Sequence, residues 1–237
     1  YAAVWITDKT DLTKQQHTLL AMSETLKNRG PDDFGEEVTK DAALIHRRLS
    51  VIDHKTGVQP MTRTLKGETY TLIYNGELYN TSELTAELKS LGYKFLGYSD
   101  TEALLYSYIE WGKDCPNRLN GMFAFAVWEH NKKRLYMARD RFGIKPLFYY
   151  VYDNSEHGKG IIFGSMIKTL LVNPLVPKKI DSQGLKQIFL LGPGKISGSG
   201  IIKDIHELKP SHYLIYENNC FKTERYWSLN AIPHEDN

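Results

Sequence analysis

Short apolar runs alternate with polar breaks along this chain, and the spacing within the runs switches repeatedly between the strand period of two and the helical period near four. Residues 2–6, AAVWI, predict a short buried strand, and residues 13–28 predict a helix carrying Leu19, Leu20, Met22 and Leu26 on one stripe. Arg29, Gly30 and Pro31 end it. Residues 42–46 and 50–52 predict strand pieces joined across Arg47 and Arg48, and residues 70–74 form a β-branched and aromatic run stopped by Asn75 and Gly76. Helices follow near 82–91 and 101–111, with Thr81 for the first and Ser99 or Asp100 for the second as N-caps. Residues 122–128, MFAFAVW, are apolar at every position, which predicts a strand buried on both faces, in a hairpin with 134–138. A second hairpin joins 147–152 to 161–164, helical spacing returns over 166–172 and 182–191, and strands are expected at 213–216 and 221–226. Strands outnumber the connections that could serve as βαβ crossovers. The expected class is therefore α+β, a layered sandwich of hairpin-built antiparallel sheets with grouped helices.

Composition narrows the function classes. The 237 residues suit one large domain, and 41% hydrophobic with 24% charged residues is a globular composition rather than a disordered or coiled-coil one. The 30 Lys and Arg against 28 Asp and Glu leave a formal charge of +2, and the basic residues are scattered, so no nucleic-acid partner is expected. The longest apolar run, 122–128, falls far short of the roughly 20 residues that cross a bilayer, so no membrane partner is expected either. Two cysteines, Cys115 and Cys220, suit a reducing, cytoplasmic setting better than a disulfide framework. The last ten residues, SLNAIPHEDN, lose all periodicity and read as the start of a linker at 228–237.

Three polar clusters interrupt the apolar framework. In HRRLSVID, 46–53, consecutive arginines point to opposite faces of an extended segment, so one of them faces inward and needs an anion. That anion is either a structural carboxylate such as Asp53 or the carboxylate of a substrate. In YNGELYN, 74–80, Asn-Gly is a hairpin signal, yet a glycine N–H beside an asparagine amide also makes an oxyanion hole. The helical pattern from Glu77 onward favours a turn from strand to helix. In YSDTE, 98–102, the acidic residues either cap a helix or bind an ammonium group. Arg48 for a carboxylate, Asp100 or Glu77 for an amine, and Asn75 with Gly76 for a carbonyl oxygen would together grip an α-amino acid. Other features are set aside. GPGKISGSG lacks the order of a phosphate loop, no histidine spacing suits zinc, and neither cysteine has a neighbour that would activate its thiol.

Taken together, NRGPD at 28–32, HRRLSVID at 46–53, QPM at 59–61, YNGELYN at 74–80, SDTE at 99–102, GMFAFAVW at 121–128 and ARDRFGIKPLFYY at 138–150 resemble the N-terminal glutaminase domain of the glutamine-dependent asparagine synthetases, a class II glutamine amidotransferase. RGPD favours this branch over the sugar-phosphate and purine amidotransferases. The resemblance spans residues 1–227 and implies an N-terminal nucleophile hydrolase fold, a four-layer αββα sandwich. It implies hydrolysis of glutamine to glutamate and ammonia, and passage of the ammonia to a C-terminal synthetase domain that uses ATP and Mg to convert aspartate to asparagine. Asn75 and Gly76 would form the oxyanion hole, Arg48 would hold the glutamine α-carboxylate, Glu77 and Asp100 would position its amino group, and Val51 would add backbone contacts. No cofactor or metal is implied for this domain itself, ARDRFGIKP would be structural near the synthetase half, and a homodimer is left open. Two departures stand out. The family's nucleophile is a cysteine at the mature N-terminus, expected just before Tyr1 and missing from this sequence, and Met166 stands where the family usually has Glu, putting a local ion pair or domain contact in doubt. The alternative is a degenerate, non-catalytic regulatory or scaffolding domain, and a third reading is a related amidotransferase serving another acceptor.

Overall fold

Strand β1 (Ala2–Thr7) is buried along its whole length, as its unbroken apolar sequence requires, and lies inside a six-stranded antiparallel sheet. The computed structural model describes residues 1–49, 57–192, 194 and 196–230. In order across this first sheet lie β10 (His206–Glu207), β8 (Phe148–Asn154), β9 (Gly158–Gly164), β1, β3 (Ala42–Arg48) and β2 (Asp33–Val38). The second six-stranded sheet runs β12 (Cys220–Arg225), β11 (His212–Glu217), β7 (Arg134–Arg139), β6 (Gly121–Glu129), β5 (Glu68–Leu78) and β4 (Met61–Leu65). Every strand pairing among the described residues is antiparallel, and the hairpins expected at β6–β7 and β8–β9 both form.

Three apolar clusters define the layers. Between the sheets, Val4, Ile6 and Leu44 of the first meet Ile73, Ala126, Trp128 and Met137 of the second. Outside the first sheet, Leu19, Met22 and Leu26 of α1 (Gln16–Leu26) and Leu170 of α5 (Ile167–Leu171) cover Trp5 and Ile45. Outside the second, Leu84 of α2 (Thr81–Ser90) and Leu104, Leu105 and Tyr108 of α3 (Asp100–Trp111) cover Leu72, Phe125 and Val127. Alternation along β6 sends Phe125 and Val127 outward and Ala126 and Trp128 inward, so the run MFAFAVW feeds two cores at once. The result is the α+β sandwich, layered αββα. A short helix α4 (Cys115–Arg118) and an amphipathic α6 (Ser182–Leu191) complete the described α-helices, and 3₁₀ turns lie at Leu12–Lys14 and Gly112–Asp114.

The structure departs from the sequence expectations at several points. Asn75-Gly76 is not a turn: β5 runs through it, with Asn75 opposite Ala124 and Gly76 opposite Phe123, because the long apolar strand β6 offers partners along the whole segment. The helix after it begins at Thr81 rather than Glu77, Asn80 occupies the cap position, and the Thr81 hydroxyl donates to the Leu78 carbonyl at 2.8 Å. Leu20 faces solvent while Leu19, Met22 and Leu26 are buried. The edge strands β2 and β4 were not foreseen, since DFGEEV and MTRTL are too polar to signal a strand. Met166 packs its side chain against the cluster beneath α1 and precedes α5 without a capping bond.

Candidate functional site

One end of the sandwich opens into a cleft of about 470 Å³, where the last residues of β3 face the last residues of β5 and the first turn of α3 closes the side. Tyr1, Arg48, Asn75, Gly76, Glu77 and Asp100 all line it. The N-terminal residue and the three polar clusters are thus drawn to one place by the fold. Val51 and Asp53 lie outside the described residues.

The paired arginines separate as extended backbone dictates. Arg47 turns to α1, donating to Ser23 Oγ at 2.9 Å and pairing with Glu24 at 2.8 Å, while its guanidinium lies over the Phe34 ring. Arg48 turns into the cleft, where its Nη2 would lie 2.9 Å from a Cβ at position 57. Glycine at 57 keeps that guanidinium accessible from the segment leading to β4. Gly30, of NRGPD, lies equally close to the β3 backbone: a Cβ there would fall 2.4 Å from the Arg47 carbonyl oxygen.

The edge of β5 carries the main geometry. Strand β4 ends its pairing with Met61 opposite Leu72, so beyond that point the N–H groups on this edge of β5 need other acceptors. Tyr74 N–H donates to the side chain of Gln59 at 2.6 Å, and Leu78 N–H donates to Asp100 Oδ2 at 3.3 Å. Strand parity aims the Gly76 N–H, midway between them, at the same edge, away from β6. Beside it, the Asn75 Nδ2 is buried and has no hydrogen-bond acceptor among the described residues. A buried amide donor left open is costly unless something else supplies the acceptor. No side chain fits at position 76: a Cβ there would lie 2.2 Å from the Met122 carbonyl oxygen and 2.8 Å from Phe123 Cα. Both donors thus belong to neighbouring residues that line the cleft.

Asp100 begins α3, whose N-cap is Ser99; the Ser99 hydroxyl accepts from Glu102 N–H at 3.3 Å. Its carboxylate accepts from the Tyr74 phenol at 3.0 Å and has no ion pair among the described residues. Burial raises its acid from the ordinary value and the nearby Glu77 charge adds to that, although the hydrogen bonds from Tyr74 and from the Leu78 and Thr101 amides oppose the shift. Glu77 is solvent-exposed at the rim. His46 lies below, donating from Nε2 to the Tyr74 carbonyl at 3.1 Å, and burial holds its imidazole well below its ordinary range, hence neutral. This bond ties the two sheets together under the cleft.

Tyr74, Gln59 and Lys145 also line the cleft and had no site role in the sequence reading, although each sits in a motif that was singled out. Lys145 belongs to ARDRFGIKP, whose fold is set by Asp140. That carboxylate accepts from the N–H groups of Phe142, Ile144 and Lys145 at 3.1, 2.9 and 3.0 Å, while Arg139 grips the carbonyls of Lys145, Gly143 and Leu208. The structural role expected for the motif coexists with a place at the cleft wall. Neither cysteine lines the cleft: Cys115 is buried under α3, where desolvation pushes its thiol up, and Cys220 is exposed at the start of β12.

Comparison with known proteins fits this geometry. The model of the glutamine amidotransferase domain family matches residues 4–227. The chain is 44% identical over 232 residues, 98% of its length, to asparagine synthetase [glutamine-hydrolyzing] 3 of Bacillus subtilis, and 34% identical over 91% of its length to asparagine synthetase [glutamine-hydrolyzing] 2 of the same organism. It spans 37% and 28% of the length of these two relatives. Among solved structures, the glutamine phosphoribosylpyrophosphate amidotransferase of B. subtilis superposes with a TM-score of 0.67 over 97% of this chain and 50% of its own, at 18% identity, and so shares the fold.

Proposed function

This chain belongs to the glutamine amidotransferase domain family, and from that premise we propose that it is the glutaminase portion of an asparagine synthetase, hydrolysing glutamine to glutamate and ammonia. The observation that carries the reading is the pair of open donors, Asn75 Nδ2 and Gly76 N–H, in a cleft that also holds Arg48 and Asp100. Arg48 would receive the α-carboxylate of glutamine, Asp100 and Glu77 its α-ammonium group, and Val51 would add backbone contacts. The side-chain amide would then lie with its oxygen on the two donors. Tyr1 lines the cleft, so a cysteine joined ahead of it would enter the same space. Its thiol, deprotonated by its own α-amino group, would attack the amide carbon. The donors would stabilise the oxyanion as the C–N bond breaks, ammonia would leave with the proton, and water would cleave the thioester to glutamate. Ammonia would pass to a synthetase portion that uses ATP and Mg to make asparagine from aspartate.

The test is glutamate release from glutamine by the full-length protein with its native N-terminus. Activity is expected, with Asn75→Ala lowering kcat by about 100- to 1,000-fold, the usual cost of losing one oxyanion donor. Arg48→Ala should act mainly on KM. Absence of glutamate release from the intact protein would overturn the reading.

A further inference from the structure

Where β4 stops short, the open edge of β5 is taken over by side chains, and these link the cleft to one another in a fixed order. The Gln59 amide stands in for the missing strand, its Oε1 receiving the Tyr74 N–H at 2.6 Å and its Nε2 donating to Thr101 Oγ1, in the first turn of α3, at 3.4 Å. Tyr74, almost wholly buried, then reaches across to the same turn with its phenol, 3.0 Å from Asp100 Oδ2. Leu78 N–H donates to that same oxygen. Both of these bonds fall on Oδ2, and the backbone N–H of Thr101, in the same turn, adds a third donor to the carboxylate. We propose that Tyr74, braced by Gln59, is a positioning residue that holds the Asp100 carboxylate oriented and ionised to receive the α-ammonium group of the substrate amino acid.

The proposal rests on the glutaminase reading and deepens it. The packing of Tyr74 among Leu78, Leu104 and Phe123 needs only an aromatic ring, whereas the phenol serves Asp100 alone. A half-buried carboxylate beside Glu77 favours its neutral form, and a neutral acid is no counter-charge for an ammonium group. The hydrogen bond from Tyr74 favours the anion. The other charged or titratable groups lining the cleft, among the described residues, are the amine and phenol of Tyr1, His46 and Arg48 from β3, Glu77 from β5, Tyr98 ahead of α3 and Lys145 after β7; the Tyr1 amine donates to the Arg47 carbonyl. None of them hydrogen-bonds Asp100, so the phenol is the side chain that holds it.

The experiment is steady-state glutaminase kinetics of the full-length protein, wild type against Tyr74→Phe. Two substrates are compared: glutamine and 5-amino-5-oxopentanoate, which is glutamine without its α-amino group. Tyr74→Phe should raise KM for glutamine about tenfold, the effect of one hydrogen bond to a charged group, with kcat within about twofold. The acid limb of kcat/KM for glutamine should move to higher pH. For the desamino substrate the two proteins should coincide, and in an Asp100→Asn background the substitution should have no further effect on glutamine. Gln59→Met, which removes the brace and spares the phenol, should repeat the KM effect in weaker form, with unchanged melting as the control for folding. Equal losses on both substrates, a fall in kcat at constant KM, or an unmoved acid limb would overturn the proposal. No glutamate release by the wild type would fall on the glutaminase reading itself, and calorimetric titration of glutamine into the same variants would then decide the role of Tyr74.

Discussion

Two carboxylates on the outer face of the second sheet, Glu129 buried and Asp100 half-buried, each accept a hydrogen bond from a tyrosine phenol, and there the likeness ends. Glu129, at the end of β6, accepts from Tyr108 at 2.6 Å and is also held by Lys132 at 2.8 Å and by Arg134 at 2.6 Å. Burial works to raise its acid, but the bonds from Lys132, Tyr108 and Arg134 outweigh it and the net shift is downward. Asp100 accepts from Tyr74 and the Leu78 amide, meets no cation among the described residues, and its acid is shifted upward. The first carboxylate carries its counter-charges within its own hairpin; the second leaves a place for one. A half-buried acid that is hydrogen-bonded yet unneutralised is the arrangement that the ammonium-binding role proposed for Asp100 requires.

The sharpest way to break this contrast is to neutralise both acids. Glu129→Gln should cost about 3 kcal/mol in denaturant unfolding, because Arg134 and Lys132 lose the charge that holds them. Its folded-state acid is lowered, so the stabilisation is present above the unfolded-state value and fades as pH falls through the folded one; the gap between variant and wild type should close on acidification. Asp100→Asn should behave oppositely. Its folded-state acid is raised, so the wild type loses stability as pH climbs from the unfolded to the folded value, and at neutral pH the variant should melt no lower than wild type. It should nonetheless weaken glutamine binding by about 10- to 100-fold, read by calorimetry, as expected for a lost bond to a charged group. The smallest effect belongs to Tyr108→Phe, about 1 kcal/mol of stability with glutamine affinity unchanged, since Glu129 keeps both cations. A drop in glutamine affinity for either Glu129→Gln or Tyr108→Phe would erase the distinction between the two sites.

Much of this architecture was legible because the apolar runs are long. MFAFAVW could only be a strand covered on both faces, and of the two caps offered for α3 it was Ser99 whose hydroxyl took the position. The polar edges were not legible: β2 and β4 bury only Met61 fully and take their conformation from β3 and β5. Asn75-Gly76 misled for a related reason, since a local turn preference was overridden by nine residues of pairing with β6. At the site, residue type gave Arg48, Asn75, Gly76, Glu77 and Asp100 as a set, and the fold brings all five to one cleft. Gln59 and Tyr74 escaped because their meaning lies in contacts 15 and 26 residues away, which no local pattern encodes.

The Gln59 side chain also changes what one backbone amide can report. In an ordinary strand, exchange of an amide proton with solvent tracks the parting of two main chains. At Tyr74 the acceptor is a side-chain oxygen, so the proton is released when one rotamer turns, with the sheet intact. The exchange rate of that single amide is therefore a clock for motions of the cleft wall, readable without any substrate.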